Sequence, residues 1–326
     1  MSIVRVGIYS ILGIIGAIVM SPLIIKRTAS AKQPIYEYVD NHNSKQGTPT
    51  MGGLIFLFSA CVIVLISNRI NSLGAVAAIV TLAYGLIGFT DDFLKIKTKH
   101  NMGLKPYQKL IAQTVIAISV AVYCYLNTSI GSEFIIPFTE YTVDLSVWAI
   151  PVYIFVLVAM SNSVNLTDGL DGLAASTSSV YFTSFTVIFL IMINRIGVGL
   201  GDGLVTLASF SAAFAGALIA FVVVNSFPAK IFMGDTGSLA IGAGAACVAM
   251  FSKNTFYLPI IGIVYFITAL SVIIQVAVFK LLHKRVFLMA PIHHHFERKG
   301  IHENKIVSAY SLVSVLVGIV CIIFYA

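Results

Sequence analysis

Apolar stretches of about 20 residues, the length a helix needs to cross a bilayer core, recur from one end of this chain to the other. Ten can be marked: Ile3–Ile25, Gly53–Ile66, Leu73–Thr90, Leu110–Leu126, Ser146–Ser161, Ala174–Ile193, Leu204–Val224, Ser238–Phe251, Tyr257–Leu282 and Ile306–Tyr325. Only 10% of the 326 residues are charged, against roughly 25% in a soluble domain. The sequence therefore predicts an all-α polytopic integral membrane protein with about ten transmembrane helices, forming one domain over residues 1–326. The first run carries Arg5, is long, and has no small-residue cleavage site, so a retained helix is expected rather than a signal peptide. The ninth is long enough to tilt or to break. The segment Asn127–Leu145, polar and aromatic with Pro137, reads as an irregular or hairpin-like external loop.

Charge orients the chain. With ten spans both termini share a side, and alternate connections collect all of the 20 lysines and arginines except Arg5, Arg69, Arg195 and Lys253. Basic residues concentrate in cytoplasmic loops, so that side is expected to be cytoplasmic and both termini external. The net charge of +7 then reflects topology and calls for no nucleic acid. All seven histidines fall on the same side. Cys61, Cys124, Cys247 and Cys321 stand singly within apolar runs, as buried free thiols do.

Three acidic segments interrupt this pattern. Asp91-Asp92 ends the third run, where the helix dipole disfavours carboxylates and two neighbours repel. Lys95 or a bound cation should compensate; the bland alternative is a solvated acid pair beside a lysine-rich loop. Asn165-Leu166-Thr167-Asp168-Gly169-Leu170-Asp171-Gly172 holds two carboxylates at i, i+3 spacing, on one face if helical. Capping accounts for Asp171 but not for Asn165, Asp168 and two glycines that let a ligand approach. Asp235, in Met233-Gly234-Asp235-Thr236-Gly237-Ser238, is either a cap or part of a phosphate or metal–phosphate site at a helix N-terminus. His293-His294-His295 lacks the spacing of a zinc site and suits hydrogen bonding to phosphate or sugar.

Hard carboxylate oxygens select magnesium or manganese, and lysines hold phosphate oxygens as point charges. The chemistry expected is phosphoryl transfer at the cytoplasmic interface, driven by electrostatic positioning of an in-line displacement.

Together, Gly47–Gly53, Asp91–Lys95, Asn165–Gly172, Met233–Ser238 and Pro291–Glu297 closely resemble the phospho-N-acetylmuramoyl-pentapeptide transferase (MraY) family, of the polyprenyl-phosphate N-acetylhexosamine-1-phosphate transferase superfamily. The histidine motif with Phe296-Glu297 separates that family from sisters using other sugars. The resemblance implies a plasma-membrane enzyme that uses Mg2+ to move phospho-MurNAc-pentapeptide from UDP-MurNAc-pentapeptide to undecaprenyl phosphate, giving lipid I and UMP. It implies Asp235 as the magnesium ligand and Asp91 and Asp92 as the pair acting on the lipid phosphate or its proton. Asn165, Asp168 and Asp171 are implied on the nucleotide side, and Phe232 as a platform for uracil near Asn225, Lys45 and Thr50. Lys95 and Lys109 would hold phosphates, His294 and His295 would complete the site, and a homodimer is the usual assembly. Direct attack by the lipid phosphate is expected over a covalent aspartyl intermediate, because a phosphate monoester with its second pKa near about 6 is already mostly ionised. The competing readings are a sister transferase handling GlcNAc-1-phosphate and an ion-coupled secondary transporter, in which acids sit at mid-helix.

Overall fold

The computed structural model describes residues 2–31, 47–98, 103–196 and 202–326. Within them the helices are α1 (Ser2–Thr28), α2 (Gly53–Ser67), α3 (Leu73–Thr98), α4 (Pro106–Leu126), α5 (Ala149–Thr167), α6 (Leu173–Ile196), α7 (Asp202–Asn225), α8 (Gly234–Phe251), α9 (Ile263–Leu282), α10 (Ile292–Arg298) and α11 (Glu303–Tyr325). Among the described residues nine of these are long and apolar enough to cross a membrane: α1, α3 to α9 and α11. The run expected as a second span is the shorter helix α2, whose middle, Leu57–Val62, widens into a π-helix. Each of the ten apolar runs marked in the sequence is helical.

The bundle is organised around α8. Every residue from Thr236 to Phe251 is buried, and α3, α5 and α2 pack directly on this helix. Its sequence, rich in Gly, Ala and Ser, is what allows that, since small residues let helix backbones approach closely in a membrane. At Gly88 of α3 a Cβ would overlap the backbone carbonyl of Asp235. Any larger residue there would drive apart the two helices that carry the acids. The outer helices behave oppositely: α1, α4, α9 and α11 leave most of their apolar surface exposed, as a lipid-facing helix does.

Three expectations need correcting, and one open alternative is decided. The fold is not wholly helical: β1 (Glu133–Ile135) and β2 (Thr142–Asp144) form an antiparallel hairpin with Phe134 opposite Val143. Phe134 is buried beneath it and stacks on Tyr153 at 5.2 Å, so the hairpin-like reading of this loop holds. The third span does not end at Thr90. Helix α3 runs on to Thr98, which puts Asp91 and Asp92 inside the helix, clear of the unfavourable carbonyl end. The ninth run does break, at Gly262, between the one-turn helix Leu258–Ile261 and α9. Finally, the histidine motif lies on α10 rather than in a loop.

Candidate active site

The C-terminal parts of α3 and α5 and the N-terminus of α8 meet at one end of the bundle. There one carboxylate oxygen from each of Asp91, Asp92 and Asp235 lies within 4.8 Å of the others. Three carboxylates this close repel one another, and the surroundings show what offsets them.

Asp92 is fully buried. Its Oδ2 accepts from the Thr236 amide at 2.9 Å and the Thr236 hydroxyl at 2.7 Å, and its Oδ1 accepts from the Asp235 amide at 3.2 Å. Orphan amides at the start of a helix carry partial positive charge, and here α3 supplies the acid that caps α8. Gly234, with φ +73°, makes room for it, because a Cβ there would collide with the Asp92 carboxylate. Asp235 itself makes no cap: its side chain turns away from its own helix end.

Asp91 Oδ1 accepts from the Leu104 amide at 2.9 Å, and Lys95, one turn along α3, lies 2.6 Å from Oδ2. Asp235 Oδ1 accepts from Asn165 Nδ2 at 2.7 Å, and the same amide reaches Ser238 Oγ at 2.8 Å. Its Oδ2 accepts from Lys109 at 2.6 Å and Lys95 at 3.2 Å. Lys109 also stands 3.4 Å from Asp91. Two ammoniums thus face three carboxylates, leaving one excess negative charge. The Asp235 side chain retains 16% of its accessible surface against 2% for Asp91, so Asp235 is the acid a ligand can reach.

This donor set fits a hard divalent cation. All the oxygens are carboxylate, and their 4.8 Å spread slightly exceeds the roughly 4.2 Å across a magnesium octahedron. The two lysines lie among these same oxygens, so a cation would displace them.

The remaining expected residues divide. Asp168 caps the end of α5, and Asp171 follows in the turn, so the two do not share a helical face. Asp171 Oδ2 accepts from the Ala229 amide at 3.0 Å, and its own amide is held by Glu303. Asn225 is equally committed, bonding the Gly172 amide and the Ile231 carbonyl. Both side chains tie the Asn165–Gly172 turn to the segment before α8. Phe232 is half-buried, and its backbone pairs with Pro49 and Gly52. That pairing carries Thr50 in beside Gly234, fully buried and with its hydroxyl unpartnered. Lys45 lies outside the described residues.

His294 Nδ1 pairs with Glu297 at 2.9 Å, and its ring reaches Gly169, where a Cβ would come within 3.0 Å of Nε2. His295 turns elsewhere, accepting from the Leu288 amide at 3.1 Å. The histidine of this motif that the sequence reading gave no role of its own is His293. It is fully buried against Gly169, and neither ring nitrogen has a hydrogen-bond partner. Burial pushes its pKa down to about 3, so the ring is neutral. Thr236 and Ser238 were missed too, although both stand in the Asp235 motif; nothing in the sequence marks Glu303.

The Glycosyl transferase family 4 model matches residues 73–253, and the phospho-N-acetylmuramoyl-pentapeptide-transferase signature 1 matches residues 45–57. The chain is 45% identical over 282 residues to a phospho-N-acetylmuramoyl-pentapeptide-transferase of Clostridium novyi (strain NT), covering 86% of this chain and 84% of that one. It is 46% identical to one from Thermoanaerobacter sp. (strain X514), over 85% and 84% of the two chains. With that of Sulfurimonas denitrificans it shares 40% identity over 98% of this chain and 94% of the relative. Matches of this extent, over the segments that build the carboxylate cluster, place the chain in the phospho-N-acetylmuramoyl-pentapeptide-transferase family of membrane-bound phosphoglycosyl transferases.

Proposed function

We propose that the chain transfers phospho-MurNAc-pentapeptide from its UDP carrier to undecaprenyl phosphate, giving lipid I and UMP, in the first membrane step of peptidoglycan synthesis. One observation carries the reading: Asp235, held by Asn165, Lys95 and Lys109, is the accessible member of a three-carboxylate cluster in a membrane-embedded family member.

Asp235 would hold Mg2+. Bound there, the ion supplies Lewis-acid polarisation of the pyrophosphate and offsets the charge that develops on the leaving UMP. An oxygen of the lipid phosphate attacks the phosphorus bonded to the sugar, a P–O bond forms, and the bridging P–O bond to UMP breaks. Lys95 and Lys109 would hold the phosphate oxygens and keep the attacking and departing groups in line. Asn165 keeps Asp235 in its rotamer. No side chain is needed to deprotonate an acceptor that is already ionised. Asp91 and Asp92, buried as they are, act by placing Lys95 and the start of α8. Asp168, His294, Thr50, Phe232 and Lys45 are proposed to bind the nucleotide and sugar around this centre. The concentration of basic residues in alternate loops supports a cytoplasmic position for this end of the bundle, with both termini outside. The active form is proposed to be a homodimer.

The acids lie at one end of the bundle rather than at mid-membrane, which disfavours the transporter, and the motif on α10 disfavours a GlcNAc-1-phosphate transferase. Purified chain with radiolabelled UDP-MurNAc-pentapeptide, undecaprenyl phosphate and Mg2+ should yield a lipid-extractable product and UMP. Intact protein that makes no such product, or makes it only from UDP-GlcNAc, rejects the proposal. Trapping a phosphosugar on Asp91 or Asp92 during turnover would falsify direct attack.

A further inference from the structure

Helix α8 carries two hydroxyl side chains, Thr236 and Ser238, both near its start. Close packing further along is served by Ala240, Gly242, Ala243 and Gly244, so small size alone does not explain a hydroxyl at 238. The Thr236 hydroxyl is used by Asp92. Ser238 is fully buried, and its Oγ makes two bonds: it donates to the Gly234 carbonyl at 3.0 Å and accepts from Asn165 Nδ2 at 2.8 Å. A main-chain carbonyl has no proton to give, so the one hydroxyl proton is committed to Gly234. Toward Asn165 the Ser238 oxygen can then only accept. Asn165 therefore has to present its NH2 group, and the same nitrogen stands 2.7 Å from Asp235 Oδ1.

We propose that Ser238 is a positioning residue for the transfer centre: it selects the orientation of the Asn165 amide, so that an N–H and not the amide oxygen faces Asp235. The effect on turnover rests on the transferase reading; the geometry does not. The two ends of a carboxamide are nearly the same size, and only a partner that tells donor from acceptor keeps the group from turning over. A turned amide would set its oxygen against the Asp235 carboxylate and release Oδ1. The bond is not what docks α5 on α8. One turn back along α5, Ser161 Oγ donates to the Leu239 carbonyl at 3.2 Å, and a Cβ at Gly242 would stand 2.5 Å from Ser161 Cα. Asn165 is also only half-buried, so water can take up the N–H that a missing hydroxyl would leave. Loss of the Ser238 hydroxyl should thus disturb the acid and spare the fold.

A double-mutant cycle on the full-length chain in detergent tests it. Ser238→Ala, Asn165→Ala and the pair are each read by Mn2+ affinity without substrate, by steady-state transfer and by thermal midpoint. Losing a hydrogen-bond partner behind a metal ligand costs about tenfold or more in metal affinity or activity. Ser238→Ala should therefore weaken Mn2+ binding about tenfold and lower kcat by a similar factor, with the KM for undecaprenyl phosphate and the midpoint nearly unchanged. In the Asn165→Ala background the same substitution should change neither Mn2+ affinity nor kcat, because Ser238 acts through Asn165. Ser238→Cys, which fills the position with a weak acceptor, should resemble Ser238→Ala. Equal losses in both backgrounds, a folded Ser238→Ala chain with unaltered Mn2+ affinity and kcat, or a midpoint that falls in step with activity would each overturn the proposal. A chain whose Mn2+ affinities follow the cycle but which makes no lipid product would count against the transferase reading alone.

Discussion

Asp92 on α3 closes the start of the helix that carries Asp235: its carboxylate takes the Thr236 amide at 2.9 Å and the Thr236 hydroxyl at 2.7 Å. Two acids of one cluster therefore do different work. Replacing Asp92 by Ala strands buried donors, at a cost of about 1–3 kcal/mol, and the thermal midpoint in detergent should fall together with activity. Asp235→Asn leaves two acids facing two lysines. Its midpoint should stay near that of the unaltered chain while transfer drops by at least about a hundredfold, as when one preorganised electrostatic contact is lost. An Asp235→Asn protein that unfolds as readily as Asp92→Ala would show that the division is wrong.

The lysine between Asp91 and Asp235 makes a prediction with an unusual sign. Lys109 approaches the two acids at 3.4 and 2.6 Å, where a divalent cation would have to enter. Lys109→Gln removes a competitor and leaves the cluster with two uncompensated charges. Without nucleotide, Mn2+ should bind the variant roughly tenfold tighter, a modest share of the about 4 kcal/mol available between unit charges 4 Å apart near a protein surface. Turnover should nevertheless fall, with a raised KM for the UDP-sugar, because a phosphate contact is gone. Electron paramagnetic resonance of Mn2+ reads the first effect and steady-state assay the second. Weaker metal binding in the variant contradicts the picture.

These two cases show what could be read without coordinates. Span positions were legible because hydropathy belongs to each segment by itself, and even the break at Gly262 was foreshadowed by the length of its run. The acids were legible because charge is conspicuous in an apolar chain. Their roles were not. The donors that claim Asp92 lie 144 residues away in sequence, and the helix end they belong to is brought to α3 by tertiary packing, as at Gly88. Asp171 looked like a ligand contact because it stands in a glycine-containing acidic turn, and Asn225 because the family resemblance implied one. Both turn out to bond backbone groups that would otherwise be stranded at the joint between two segments. The burial of His293 was not foreseen because it depends on the turn around Gly169, which no local pattern encodes.

That contact can be tested on its own. A Cβ at Gly169 would overlap His293 Nε2 and come within 3.0 Å of His294 Nε2. Gly169→Ala should push the Asn165–Gly172 turn away from α10, shift Asn165 against Asp235, and lower kcat by about tenfold or more, since small misplacements are costly in a positioned site. Removing the obstructing ring should relieve part of this. The double variant Gly169→Ala, His293→Ala should be more active than additivity of the single changes allows, and a coupling energy of at least about 0.5 kcal/mol in a double-mutant cycle is expected for residues in contact. Strict additivity would mean that the turn and α10 do not meet in the working enzyme.

The same histidine should set part of the acid sensitivity. Burial, with His294 beside it, holds the His293 pKa down to about 3, and Glu297 opposes the shift only partly. In the unfolded chain the ring titrates near about 6.5. Between those values the unfolded state binds one proton more than the folded state, so stability rises with pH across that window. The contribution is complete above about pH 6.5 and is lost progressively as the pH falls towards 3. Replacing His293 by Gln removes the titrating group while keeping a polar side chain. The thermal midpoint of the unaltered chain, measured between pH 7 and pH 4.5, should therefore fall more steeply with acid than that of His293→Gln. Parallel curves would show that the ring is already protonated, or already paired, in the folded protein.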